Sequence, residues 1–226
     1  MKQNIFYRLT IDKVVSLYEN IGNKFLSKHR RKKINNLNFT IISNNCWGGH
    51  CYRHYGLPYF SPTVGLYFFA EEYIKLLRNL EENIKGPLKF ISVKDSKYAK
   101  ELYARNQENV PIGVLNNNIE IVFLHYKTKE EAYEKWKRRV KRINFDKLIV
   151  KFSEMNLCEI KHIIEFEKMP YKNKILLLGQ KYNSINSGIV VKRYTNDKKE
   201  VANDTLYYFK FINLNKLINS IKIEKK

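Results

Sequence analysis

Phe39-Thr-Ile-Ile-Ser-Asn-Asn-Cys46-Trp-Gly-Gly-His-Cys-Tyr-Arg-His54 decides how this chain is read. It opens as an apolar, β-branched run and turns polar at Ser43. That pattern predicts a buried strand feeding a loop at a sheet edge. In open α/β sheets, ligands and chemistry gather beyond the carboxyl ends of strands. Asn44, Asn45, the Cys46 thiol, the Gly48-Gly49 pair and the imidazoles of His50 and His54 therefore mark the candidate site.

Upstream, Ile11, Val14, Val15, Tyr18, Ile21 and Phe25 fall at helical spacing. They predict a basic amphipathic helix over 10–30, with Thr10 as N-cap. It runs into Lys28-His-Arg-Arg-Lys-Lys33, cations that either complement the helix dipole or meet a membrane surface or polyphosphate. Downstream, a helix is predicted over 66–80, then a strand over 88–93 that ends at Lys94-Asp95. Residues 96–118 are polar, with a short helix over 98–105 and a turn at Pro111-Ile-Gly113. Ile119-Glu-Ile-Val-Phe-Leu124 reads as a central strand ending at His125-Tyr126. Thr128-Lys-Glu-Glu131 is a capping-box match opening a helix to about Ile143, with Ala132, Trp136, Val140 and Ile143 as its core stripe.

A fourth strand over 148–152, a helix over 159–168 and a fifth strand over 175–178 follow. The remainder holds β-rich 188–191 and 206–212 and a lysine-rich helix over 214–222. Alternating strands and helices predict an α/β fold, a mainly parallel sheet flanked by helices. Residues 1–180 form the α/β domain, and 181–226 a mixed α+β extension of it.

The chain has 226 residues, with 42 lysines and arginines against 22 acids and a net charge of +20. Such a field attracts polyanions, phosphates or an anionic membrane; compositional drift in a Lys-, Asn- and Ile-rich chain is the alternative source. Three cysteines are too few for a disulfide framework. Charge precedes any apolar segment at the N-terminus, and no apolar run reaches membrane-spanning length. A cytoplasmic protein with reduced thiols is the expectation.

If the strands are parallel, Asn44, Asn45 and Cys46 share one rim with Asp95, His125, Ser153 and Glu154. Cys46 is then a candidate nucleophile, with backbone N–H groups of 47–49 as oxyanion donors and His125 as its base. A buried Cys and a core His are the structural alternative. Zinc on Cys46, His50, Cys51 and His54 is the rival, but adjacent His50 and Cys51 point apart. Among Lys135, Arg138, Arg139 and Arg142, Glu131 and Glu134 offer i,i+4 partners to Lys135 and Arg138. Arg139 and Arg142 remain as candidates to hold a phosphate or carboxylate, or as part of a solvated face. There is no Walker loop, GxGxxG, HExxH or GxSxG motif.

Ser43-Asn-Asn-Cys46-Trp-Gly-Gly49, Gly56-Leu-Pro-Tyr-Phe-Ser-Pro-Thr-Val-Gly-Leu66, Phe123-Leu-His-Tyr126, Glu134-Lys-Trp-Lys-Arg-Arg139, Arg142-Ile-Asn144 and Met169-Pro-Tyr-Lys-Asn-Lys174 occur in this order. Over residues 36–180 the set resembles the bacterial family labelled exopolysaccharide biosynthesis protein. His50, Cys51 and His54 lie outside that pattern. The resemblance implies an α/β domain encoded among capsule and exopolysaccharide genes. It suggests an enzyme acting on an anionic, nucleotide-activated or lipid-linked sugar precursor, peripheral to the inner leaflet. Acyl-type transfer through Cys46 and His125, with acyl-coenzyme A as donor, is the first expectation. Asn44, Asn45, Asp95, Arg139, Arg142 and Asn144 are the candidate substrate-binding residues. Glycosyl or sugar-phosphate transfer from a nucleotide sugar, using the basic residues with Asp95 or Glu154, is the second. A non-catalytic protein binding polyanions is the third, with nucleic acid disfavoured by the lack of recognition signatures.

Overall fold

Strand β1 (Thr40–Ser43) is buried on both faces and pairs in parallel with a strand more than a hundred residues away, β5 (Leu148–Ser153), through Thr40↔Leu148 to Ser43↔Lys151. β6 (Lys174–Leu178) and β7 (Ile189–Val190) extend the same sheet, in the order β1-β5-β6-β7, all parallel. The computed structural model describes residues 2–191, 199–202 and 204–221; the side chains of 2–11 and 207 lie outside what is described.

Between β1 and β5 sits a second, antiparallel sheet of β2 (Leu88–Ile91), β3 (Ile112–Leu115) and β4 (Ile119–Val122). The single rim expected for all strands therefore does not form: the chain after β2 and β4, including Asp95 and His125, belongs to this insert. β3 occupies the segment read as a turn at Pro111–Gly113. Its hairpin with β4 turns at Asn116 and Asn117, both left-handed at φ 52° and 57°, a conformation asparagine tolerates better than most residues. Tyr67 bridges to Val122 and stitches the insert to the segment that follows β1.

The helices are α1 (Lys2–Arg31), α2 (Trp47–Tyr55), α3 (Ala70–Arg78), α4 (Leu80–Lys85), α5 (Ala99–Ala104), α6 (Lys129–Val140), α7 (Ile160–Lys168), α8 (Asp204–Tyr207) and α9 (Leu214–Asn219). α1 starts at Lys2, so Thr10 lies inside it and is not its N-cap. The single helix expected over 66–80 starts later and breaks at Asn79 into α3 and α4. Thr128 caps α6 as expected, its hydroxyl accepting from Glu131 N at 3.1 Å, and Ala132 and Trp136 are buried. Aromatic-rich 206–212 is not a strand. It forms the end of α8 and a short 3-10 turn (Tyr208–Lys210) that buries Tyr208 and Ile212 against α2 and β1. The predicted helix over 214–222 is α9, with Lys222 outside the described residues.

The stretch read as a loop after Cys46 is α2, a helix despite its two glycines. A Cβ at Gly49 would stand 2.9 Å from Val64 Cγ1, and one at Gly48 3.2 Å from Ile41 Cγ2. The glycines thus let α2 lie against β1 and the Val64 turn. Gly56 ends the helix in the left-handed region at φ 60°, with Leu57 N donating to Tyr52 O at 3.0 Å.

Period-two alternation divides the core. Ile42, Val150, Phe152 and Leu176 face the layer of α3, α6, α7 and the insert. Ile41, Ile149, Ile175 and Leu177 face α2 and the C-terminal segment. Ile218, Ile221, Val201 and Tyr208 belong to the second layer, so residues after 180 help to cover one face of the sheet.

Gly49→Ala should destabilise the fold by ~1–3 kcal/mol, because the added methyl overpacks Val64. A lower urea midpoint at unchanged m-value would register it; an unchanged midpoint would mean that α2 moves away freely.

Candidate active site

Because the Cys46 stretch is helical, residues at i, i+3, i+4 and i+7 share one face. Cys46, Gly49, His50 and Arg53 are those residues, and together they form one wall of a cavity of about 410 Å³. Tyr59, Val64 and Gly65 close a second side, and His125, Tyr126, Lys135 and Arg139 a third. Cys46 and His125 therefore open on the same cavity, although they come from different sheets. The link is a backbone bond, His125 N donating to Gly65 O at 2.9 Å. Gly65, at φ 82°, packs against the Tyr126 ring.

Arg139 lines this cavity although it lies in the last turn of α6. It is buried, its Nη1 donating to Val64 O at 3.0 Å and to the Tyr126 hydroxyl at 2.5 Å, and its guanidinium stands 5.0 Å from the Tyr59 ring. These contacts fix its position and leave further donors of its fork for a ligand. Arg53 is solvent-exposed, and neither arginine has an acid within ion-pair distance among the described residues. Lys135 is held by Glu131 at 2.5 Å. Among the described residues no carboxylate lines the cavity.

Burial drives His50 down from 6.5 to about 4, with the charge on Arg53 adding to the effect. His125, at the exposed rim, is also held below its usual value by desolvation and Arg53. Both shifts favour the neutral imidazole. The Cys46 thiol is pushed up to about 11, chiefly by burial and next by the Asp204 carboxylate. A Gly65 backbone hydrogen bond and the Arg53 and Lys151 charges pull the other way but do not win. The thiol donates to Leu66 O at 3.5 Å.

Beneath Cys46 lies a network that the sequence reading did not single out. Lys151 and Asp204, 0% and 1% exposed, form an ion pair. Asp204 also accepts from Ser153 Oγ at 2.6 Å and from Asn45 Nδ2 at 2.9 Å, and Asn45 Oδ1 takes a bond from Lys151 Nζ at 3.1 Å. The same Asn45 oxygen accepts from Trp47 N at 3.2 Å and so anchors the start of α2. A charged residue inside the apolar run Leu148-Ile-Val-Lys-Phe152 was the available signal for this pair.

The other predicted site residues go elsewhere. Asn44 completes the sheet, exchanging hydrogen bonds with the Ser153 backbone at 2.9 and 3.0 Å. Asp95 is exposed in a 3-10 turn after β2. Arg142 is exposed and reaches Tyr59 O at 3.4 Å. Asn144 caps the turn before β5, accepting from Asp146 N at 3.1 Å. Glu154 is buried, accepting from Gly179 N at 2.8 Å and from the Tyr182 hydroxyl. Of the rival zinc set, Cys51 is in the core and His54 stands 3.3 Å from Arg30. Among the described residues no His, Cys, Asp or Glu cluster could hold a metal ion. A larger cavity, about 600 Å³, lies at the opposite, N-terminal ends of β5 and β6, with Glu81, Asp146 and Lys172 at its walls.

Fold and site thus define an α/β protein with a cavity above the first parallel strand on which Arg53, Lys135 and Arg139 converge. The chain belongs to the family described as "Domain of unknown function (DUF1919)", which matches residues 17–223. A Haemophilus influenzae protein described as "Uncharacterized protein" is 28% identical over 170 residues, covering 75% of this chain and 76% of that one.

Two outcomes follow from this geometry. Iodoacetamide labelling of Cys46 should be slow at neutral pH and accelerate about tenfold per pH unit up to about pH 10, since only thiolate reacts. A plateau reached near neutrality would show an activated thiolate instead. Asp204→Asn should cost ~3–5 kcal/mol in urea denaturation, because it strands a buried ammonium. Replacing both members, as Lys151→Met with Asp204→Leu, should cost less than Asp204→Asn alone.

Proposed function

We propose that the cavity binds a phosphate-bearing sugar precursor of bacterial surface polysaccharide, and that the protein catalyses group transfer on it. The convergence of Arg53, Lys135 and Arg139 on a cavity that no carboxylate of the described residues lines carries this reading. Arginine forks suit phosphate oxygens, and a partly enclosed cationic pocket strengthens each contact. The surface-glycan context comes from the resemblance over residues 36–180.

Sugar-phosphate or glycosyl transfer fits the site better than acyl transfer through Cys46. A neutral His125 can take the proton of a hydroxyl that attacks the activated sugar, while the arginines hold the phosphate that leaves with the electrons of the broken bond. Acyl transfer would first have to ionise a thiol held at about 11. Asn44, Asp95, Arg142, Asn144 and Glu154 have no role in this version of the site, and Asn45 acts by anchoring α2.

Calorimetric titration with pyrophosphate and with a uridine diphosphate sugar tests the reading. Both should bind, more weakly as salt rises. Arg53→Gln should weaken binding about tenfold, ~1.4 kcal/mol, at unchanged melting temperature, Arg53 being exposed. Absence of binding to either, or an Arg53→Gln protein that binds like the wild type, would remove the proposal.

A further inference from the structure

The outer face of α1 carries apolar side chains that nothing among the described residues covers. Val14, Leu17, Tyr18, Ile21 and Phe25 are between 51% and 77% exposed. Val14, Tyr18, Ile21 and Phe25 stand at i, i+4, i+7 and i+11, a single stripe about three turns long. Lys13, Lys24 and Lys28 are exposed along one border of it, on the row shared with Leu17, and Lys24 Nζ lies 5.7 Å from the Phe25 ring centroid. The acids of this stretch, Asp12 and Glu19, lie off the stripe on the half-buried side. There Glu19 is held up to about 7 by burial. The inner side is fastened to the rest of the fold: Arg30 Nη1 meets His54 at 3.3 Å, and Arg31 donates to Gly56 O at 3.3 Å.

We propose that α1 lies flat on an anionic bilayer surface, its apolar stripe in the headgroup–acyl boundary and Lys13, Lys24 and Lys28 among the lipid phosphates. Charge decides between occupants. A second copy of the chain would set this lysine border against its own, with no acid on the stripe to answer it, on a protein of net charge +20. An anionic lipid surface complements both the stripe and its border. Tyr18, amphipathic and the most exposed of the stripe, suits the interface. Insertion across the membrane is a different matter: no described helix is long and apolar enough for it. This attachment stands apart from the cavity chemistry, since no stripe residue lines that cavity.

The test is flotation of the full chain with vesicles of equimolar phosphatidylcholine and phosphatidylglycerol, against vesicles of phosphatidylcholine alone. Binding is expected to the anionic vesicles and to fall about tenfold in Ile21→Gln/Phe25→Gln, with an unchanged circular-dichroism melting midpoint. Lys24→Gln/Lys28→Gln should lose a similar factor and flatten the salt dependence, which keeps the test open if the first pair misfolds. Pyrophosphate titration of the same variants should match wild type. Failure of the wild-type chain to float, or equal binding to neutral vesicles, overturns the proposal. So does a dimer in sedimentation equilibrium that dissociates in Ile21→Gln/Phe25→Gln, which would assign the stripe to self-association.

Discussion

The ion pair between Lys151 and Asp204 is the constraint to which the site answers. An ammonium in the middle of a strand, fully removed from water, is tolerable only with a charged partner and satisfied protons. Asp204 supplies the charge from the far end of the chain, and Asn45 and Ser153 complete the bonds. Asn45 uses one oxygen both for Lys151 and for the first amide of α2. The strand, the helix start and the C-terminal segment are therefore fixed by one cluster, and Cys46 stands directly above it. The carboxylate that neutralises Lys151 also helps keep the Cys46 thiol protonated. Burial does most to keep the sulfur passive, and the carboxylate that completes the ion pair adds to it.

The cavity is built on this platform by close approaches. Two glycines bring α2 onto β1 and Val64, and Gly65 admits the Tyr126 ring. Arg139 then spans Val64 and Tyr126 from the opposite side. The antiparallel insert is thus more than decoration on the sheet. It delivers one wall of the cavity, and the loop of 59–65 is the hinge plate between the two walls.

Buried apolar runs were the legible part of the sequence. Ile41-Ile42, Ile119–Val122, Leu148–Phe152 and Ile175–Leu178 are all strands, because a run covered on both faces has few alternatives. What misled was punctuation. Gly48-Gly49 suggested a loop, yet helix packing tolerates glycine where close contact repays it. Pro111 and Gly113 hid β3, and aromatic alternation in 206–212 imitated a strand. That Cys46, His125 and Arg139 line one cavity accords with what is readable locally, chain ends after strands and a helix arginine without an i,i+4 acid. Arg53 was not readable in this way: in a chain with so many cations only its i+7 spacing from Cys46 distinguishes it, and that spacing has meaning once the segment is helical. Asp204 was invisible, since its partner lies 53 residues away.

The insertion of a whole antiparallel unit between two adjacent parallel strands sets an order of assembly. The β3–β4 hairpin closes over three residues and can form as soon as it is synthesised. β1 must wait for β5, over a hundred residues later, and loop closure on that scale slows folding. Even then β5 carries a bare ammonium until residue 204 has emerged. A nascent chain on the ribosome would hold a finished insert above an unfinished sheet until the carboxylate of Asp204 arrived to close it.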